Sequence, residues 1–165
     1  MIIKVSGDEL ARQALKALRS AAFTAESGRC EQFAREVFES LYPNAGAITQ
    51  HFLATARVSM MSFRDSIYNV WDNIGGTPGA APADGFLLPG DYLYKGLATS
   101  GLNGHVGIFF HNAGLHTESV PSVCENSSWH MTAGRVGNVS GAKGTRTLAE
   151  FGPFEMVVRL SEVNQ

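Results

Sequence analysis

Gly28-Arg29-Cys30-Glu31-Gln32-Phe33 sets a cysteine where a loop becomes a helix. From Glu31 to Leu41 the apolar residues Phe33, Ala34, Val37, Phe38 and Leu41 return at helical spacing, while Glu31, Arg35, Glu36 and Glu39 take the other side. Cys30 is thereby predicted as the first or cap residue of a helix with one buried face. Unpaired backbone N–H groups and the positive end of the helix dipole gather there, and both favour thiolate over thiol. A lone cysteine is by default a small buried hydrophobe. Its place after a polar loop, at a helix start, argues instead for a nucleophile.

Outward from this helix the chain divides into an apolar-periodic first half and an extended second half. Residues 2 to 5 read as a short strand or a staple onto the first helix. Ser6 and Glu9 have the capping-box spacing, and Leu10, Ala14, Leu15, Leu18 and Ala22 mark a helical face from about 8 to 21. Tyr42-Pro43-Asn44-Ala45-Gly46 stops the Cys30 helix. A third helical pattern runs from about His51 to Asp72 through Leu53, Ala56, Met60, Phe63, Ile67, Val70 and Trp71, and reads as core packing. The Gly- and Pro-rich segment from Asn73 to Gly85 reads as a long loop bordering the site.

Beyond Phe86 the period becomes extended. Leu88-Pro89-Gly90-Asp91 is a turn, Tyr92-Leu93-Tyr94 a strand, and Lys95 to Asn103 a connection. Gly104-His105-Val106-Gly107-Ile108-Phe109-Phe110 opens the next strand on a histidine, and His111-Asn112-Ala113-Gly114 reads as its hairpin turn. Leu115 to Val120 and Ser122 to Asn126 follow on either side of Pro121. Gly134 to Gly144 reads as a surface loop, Leu148 to Pro153 ends a short helical turn, and Met156 to Leu160 closes with a strand. Helices first and antiparallel strands after is an α+β order.

A nucleophile needs a base that relays its proton and a third group that orients the base. His105 is the candidate base. A cysteine at a helix start, then Pro-Gly-Asp with an aromatic strand, then Gly-His-Val-Gly-Ile, is an ordered set that resembles the NlpC/P60 and CHAP families of papain-like amidases and peptidases. The resemblance covers about residues 28 to 160. It implies a papain-like fold in which N-terminal helices, one bearing the nucleophile, pack on a small antiparallel sheet bearing the histidine, all within one domain spanning 1–165. It further implies cleavage of an amide bond in bacterial peptidoglycan through a thioester on Cys30.

For the group that orients His105 the resemblance leaves three candidates. CHAP-like enzymes use a carboxylate with a nearby asparagine, which Glu125-Asn126 offers without the family's usual spacer residue. NlpC/P60 enzymes use a second histidine on the following strand, where His116 falls. Glu125 is preferred, Asn126 second and His116 third, and any of them fixes ring tautomer by accepting its N–H. Strand alternation puts Glu125 and Asn126 on opposite faces, so only one is expected to meet His105. Such enzymes also use a polar side chain ahead of the cysteine as an oxyanion donor. Thr24, Ser27 and Gln13 lie upstream, and the role is left unassigned. His51 and His130 are expected at the surface, His111 in a polar turn, and Cys124 as a structural residue, with a Cys30–Cys124 disulfide left open.

Composition narrows the remaining classes. At 165 residues with 44% hydrophobic and 17% charged residues, the chain reads as one globular domain with its own core. A formal net charge of −2 disfavours a nucleic-acid partner. The start Met1-Ile2-Ile3-Lys4-Val5-Ser6-Gly7-Asp8 shows no signal-peptide pattern and no window is apolar long enough to span a bilayer. The expectation is synthesis in the cytoplasm, without membrane insertion, and action at the wall after delivery by a holin, virion or secretion machine. The ending Gly152 to Arg159 and Glu125 to Ser128 resemble bacteriophage-associated members. Cys30, His105 and Cys124 lack the paired spacing of a metal site, Gly134 to Gly144 lacks a phosphate-loop lysine, and no cofactor is expected.

Overall fold

A computed structural model describes residues 2–43, 69–72, 87–95, 105–111, 120–131, 138–154, 156–159 and 162–164. Most of the third helical pattern, the 73–85 loop, most of the 95–103 connection, the hairpin turn after His111, and both His51 and His116 lie outside the described residues. In chain order the elements are β1 (Ile2–Lys4), α1 (Gly7–Ala17), α2 (Cys30–Leu41), β2 (Asn69–Asp72), β3 (Tyr92–Lys95), β4 (His105–Phe110), β5 (Ser122–Asn126), a 3-10 turn (Ser128–Met131), β6 (Asn138–Ser140), β7 (Lys143–Thr147), α3 (Leu148–Phe151), β8 (Met156–Arg159) and β9 (Glu162–Asn164). The content is α+β.

Strands β2-β8-β3-β4-β5-β7-β6 form one sheet in that spatial order, and β1 pairs with β9 separately. Every ladder is antiparallel. α1 and α2 cover one face of the sheet, where Leu10, Ala14, Phe33, Val37 and Phe38 pack on Tyr92, Tyr94, Val106, Ile108, Phe110 and Cys124. The other face carries Leu93, Phe109, Val123 and Val157 under Phe151 and Phe154. A strand covered on both faces has no side for polar residues, which is why β4 reads as the unbroken run Val106-Gly107-Ile108-Phe109-Phe110.

Local chemistry sets the ends of these elements. Ser6 Oγ accepts from the Glu9 N–H at 3.2 Å, as the capping spacing predicts. The Ser6 N–H, however, donates to the Tyr42 hydroxyl at 3.0 Å, so the residue that ends α2 helps cap the start of α1. Leu88-Pro89-Gly90-Asp91 closes through Asp91 N–H to Leu88 O at 3.1 Å, with Gly90 at φ +88° behind a proline, the type II arrangement. A Cβ on Gly90 would lie 2.4 Å from Gly7 O, so the turn seats directly against the start of α1. Gly107 has a different reason: its Cβ would meet Val123 Cγ1 at 2.3 Å, and only glycine lets β4 lie this close to its neighbour.

Three expectations require correction. The helical pattern through Asp72 does not hold at its end, because Asn69–Asp72 is a strand paired with Met156–Arg159. Pairing across the sheet edge overrides the local period there. The first helix stops at Ala17 rather than near 21: the Lys143 ammonium takes the carbonyls of Ala17, Ser20 and Phe23 at 2.9, 2.7 and 3.0 Å, and the chain tightens into i→i−3 bonds at Arg19 and Ser20. The glycine-rich surface loop is, over Asn138–Thr147, a β6–β7 hairpin turned at Gly141, with Lys143 and Gly144 buried.

Candidate active site

α2 begins at Cys30, as its period predicts. Arg29 supplies no side-chain cap, so the first-turn N–H groups face the sulfur's surroundings without a competing side-chain oxygen. Cys30 is half-buried, is not disulfide-bonded, and hydrogen-bonds His105, the first residue of β4. Burial pushes the thiol up. The hydrogen bond and charge of His105, with the backbone groups of Val106 and Glu31, outweigh burial and leave the thiol below its ordinary range.

His105 Nε2 lies 3.1 Å from Glu125 Oε2, which leaves Nδ1 as the ring nitrogen for the Cys30 sulfur. Its side chain is 17% exposed and packs at 5.7 Å between centroids on the Phe151 ring. Burial alone would favour neutral imidazole. The hydrogen bonds and charges of Cys30 and Glu125 reverse this and raise His105 to about 9. At neutral pH the imidazole is therefore charged, and its charge and hydrogen bond favour the thiolate form of Cys30.

Glu125 is completely buried, a placement that is costly for a carboxylate without partners. It has three. Oε2 faces His105, and Oε1 lies 2.6 Å from Arg146 Nε and 3.4 Å from His130 Nε2. Burial raises its pKa, but these partners hold the carboxyl well below the usual range. The strand register explains the convergence. Glu125 and Arg146 stand on the same face of the paired strands β5 and β7, and the 3-10 turn directly after β5 folds His130 back beneath them.

The structure brings Cys30, His105 and Glu125 together and does not bring Asn126 to them. Asn126 Nδ2 donates instead to the carbonyls of Thr24 and Glu26, at 3.0 and 2.9 Å, and so ties down the loop that leads into Cys30. That is the opposite-face outcome that strand alternation predicts. His130, expected at the surface, is 1% exposed and belongs to the Glu125 cluster. Its short spacing from Glu125 carried no periodic signal, and only the 3-10 turn reveals it. Arg146 carries no signal in the sequence, because the hairpin that buries it begins within Gly134 to Gly144, a stretch that reads as surface loop. Cys124 is fully buried on the helix face, with Sγ 3.2 Å from Ala14 O, in agreement with a structural role.

Of the upstream polar residues, Gln13 donates to Ser40 Oγ at 3.0 Å, the Thr24 N–H donates to Glu36 at 2.9 Å, and Ser27 is exposed. Tyr94 on β3 is buried near the nucleophile. Burial, then the nearby Tyr92, Glu31 and Cys30, hold its phenol protonated. Glu31, next to Cys30, is raised by burial to about 7 against the pull of Arg35. Among the described residues no group of three or more His, Cys, Asp or Glu side chains is arranged to hold a metal ion, and no helix is long and apolar enough to cross a membrane. The site is an ordered sulfur–imidazole–carboxylate line whose carboxylate is braced from behind, an arrangement able to supply a nucleophile and return a proton to a leaving group. Comparison of the chain with family models, with curated proteins and with solved structures finds no match.

Proposed function

We propose that this chain is a cysteine hydrolase of the papain-like NlpC/P60 and CHAP type, cleaving an amide bond in bacterial cell-wall peptidoglycan. The observation that carries the hydrolase reading is the Cys30–His105–Glu125 line, with Cys30 at the first residue of α2 and His105 Nε2 at 3.1 Å from Glu125. The wall as substrate is supported by the ordered resemblance across residues 28 to 160.

In this reading the Cys30 thiolate attacks the amide carbonyl and forms a C–S bond. The resulting oxyanion is held by the Cys30 backbone N–H at the start of α2. His105 delivers its proton to the leaving nitrogen as the C–N bond breaks, giving a thioester and a free amine. Water then attacks the thioester, His105 takes its proton, and the carboxylic acid product leaves as the thiolate re-forms. Glu125 stays ionised throughout and fixes the ring. The reaction draws on no cofactor, and a holin, virion or secretion machine would carry the protein to its substrate.

Purified peptidoglycan is digested with the parent, Cys30→Ala and His105→Ala, and the products are identified by mass spectrometry. The expected result is new amine and carboxyl termini with the parent and none with either variant. Wall that is solubilised at the parental rate by Cys30→Ala would remove Cys30 as the nucleophile, and wall that the parent binds but leaves uncut would point to a non-catalytic module. Cleavage confined to a parallel casein and isopeptide panel would move the substrate to intracellular protein.

A further inference from the structure

We propose that Arg146 is a positioning residue of this site: its guanidinium fixes the Glu125 carboxylate, and through it turns the His105 ring toward Cys30. The inference rests on the reading of Cys30 and His105 as nucleophile and base, and adds a residue that neither the motifs nor the family resemblance contains.

The geometry is that of a brace. Arg146 is 8% exposed, its Nε lies 2.6 Å from Glu125 Oε1, and the other carboxylate oxygen is the one that meets His105. The guanidinium is held over two rings, with Cζ 5.1 Å from the Trp129 centroid and 5.3 Å from that of Phe151. Phe151 also packs on His105, so the same ring backs both the brace and the base. A planar guanidinium can stack on aromatic faces while its edge meets a carboxylate, which an ammonium on a flexible stem cannot do. Glu125 thereby has its two oxygens assigned to different jobs, one to a fixed cation and one to the imidazole.

Charge counting points the same way. Glu125 has a cation at each oxygen, the His105 imidazolium at Oε2 and Arg146 at Oε1. Without Arg146 one oxygen of this buried carboxylate would lose its cation, which weakens the hold of Glu125 on His105 and so of His105 on the Cys30 thiolate. The other groups that act on Glu125 are His130 at the same oxygen, Lys95 from β3, and Cys124, which interacts through charge from the opposite face of the same strand; Tyr94 and Glu31 act on Cys30. Lys95 is committed elsewhere, with Nζ donating to the Phe151 carbonyl and lying over that ring. Besides His105, Arg146 is the cation in direct contact with Glu125 among the described residues.

The test reads the sulfur directly and needs no substrate. Cys30 alkylation by iodoacetamide is followed against pH in the parent, Arg146→Gln and Arg146→Lys, with the modified peptide identified by mass and folding checked by circular dichroism. The parent is expected to react through a plateau that extends well below the range of a free thiol. Arg146→Gln should move the acid limb up by about one pH unit or more, a ~tenfold loss of reactivity at pH 6. Arg146→Lys should move it the same way by less. A folded Arg146→Gln with the parental profile overturns the inference, and if that variant does not fold, a parental profile in Arg146→Lys overturns it equally. A parent whose Cys30 titrates as an ordinary thiol overturns this inference and the hydrolase reading together. A parental plateau with unchanged variants removes Arg146 alone.

Discussion

Lys143 and Arg146 stand three residues apart on β7, both with their charges withdrawn from water, and they face opposite sides of the sheet. The lysine points toward the helices. Its ammonium donates to the carbonyls of Ala17, Ser20 and Phe23, and across the ladder its partner Asn126 holds the carbonyls of Thr24 and Glu26. The arginine points to the other face and meets Glu125, which His130 also approaches, and two aromatic rings. Desolvating either cation is costly. What each gains differs: neutral carbonyls cannot titrate, so Lys143 and Asn126 fix backbone and nothing more, whereas a carboxylate shared with imidazole leaves a proton equilibrium that the surroundings can tune. One hairpin thus holds the loop into Cys30 with one face and sets the protonation of His105 with the other.

The sharpest way to break this division is Glu125→Gln. The amide cannot carry the charge that stabilises the imidazolium, and the rate of amide cleavage should fall by a factor on the order of 10²–10⁴ in the folded variant, with a lower melting temperature because Arg146 is left buried without its anion. Loss of folding with little loss of specific activity in the remaining folded protein would assign Glu125 to the structural face instead. Next in size is Lys143→Met, which leaves one buried and two part-buried carbonyls without their donor. The buried Ala17 carbonyl alone should cost about 1–3 kcal/mol, and the variant should lose at least that much in urea denaturation. The iodoacetamide profile of its folded fraction should match the parent's, and a displaced profile would show that the two faces are coupled.

The pH dependence sharpens the comparison further. His105 is raised from its ordinary 6.5 to about 9, so its contribution to stability is fully present below 6.5 and is lost as pH rises through 9. Glu125 is depressed, so its contribution is present above its ordinary 4.5 and is lost as pH falls toward its lower folded value. Melting temperature should therefore be highest between about 4.5 and 6.5 as far as this site decides it, and the activity profile should fall on the alkaline side near 9. In Glu125→Gln both limbs of the stability profile should flatten. In Lys143→Met they should survive on a lower baseline. The smallest effect is expected from Asn126→Ala, which removes two hydrogen bonds to the loop before Cys30 and should cost about 1–3 kcal/mol. Its activity should drop only a few-fold, through looser placement of the nucleophile. A loss as deep as that of Glu125→Gln would return Asn126 to the catalytic line.

The order of residues was enough for the parts that depend on neighbours within four residues: the period of α2, the placing of Cys30 at its start, the Pro89-Gly90 turn, and the apolar strand that His105 opens. These follow from local sterics, capping and apolar spacing, which the order of residues encodes directly. It also narrowed the partner of His105 to residues that include Glu125, since alternation allowed only one of Glu125 and Asn126 to face it. Which one did so was decided by the β4–β5 register, and the bracing of that carboxylate by Arg146 and His130 was decided by a hairpin and a 3-10 turn that carry no hydrophobic period. Asn69–Asp72 became a strand for the same kind of reason, a distant ladder overruling a local pattern. Buried charges are satisfied by whatever the chain brings within about 3 Å from far along its length, and that pairing exists only once the strands have found their register.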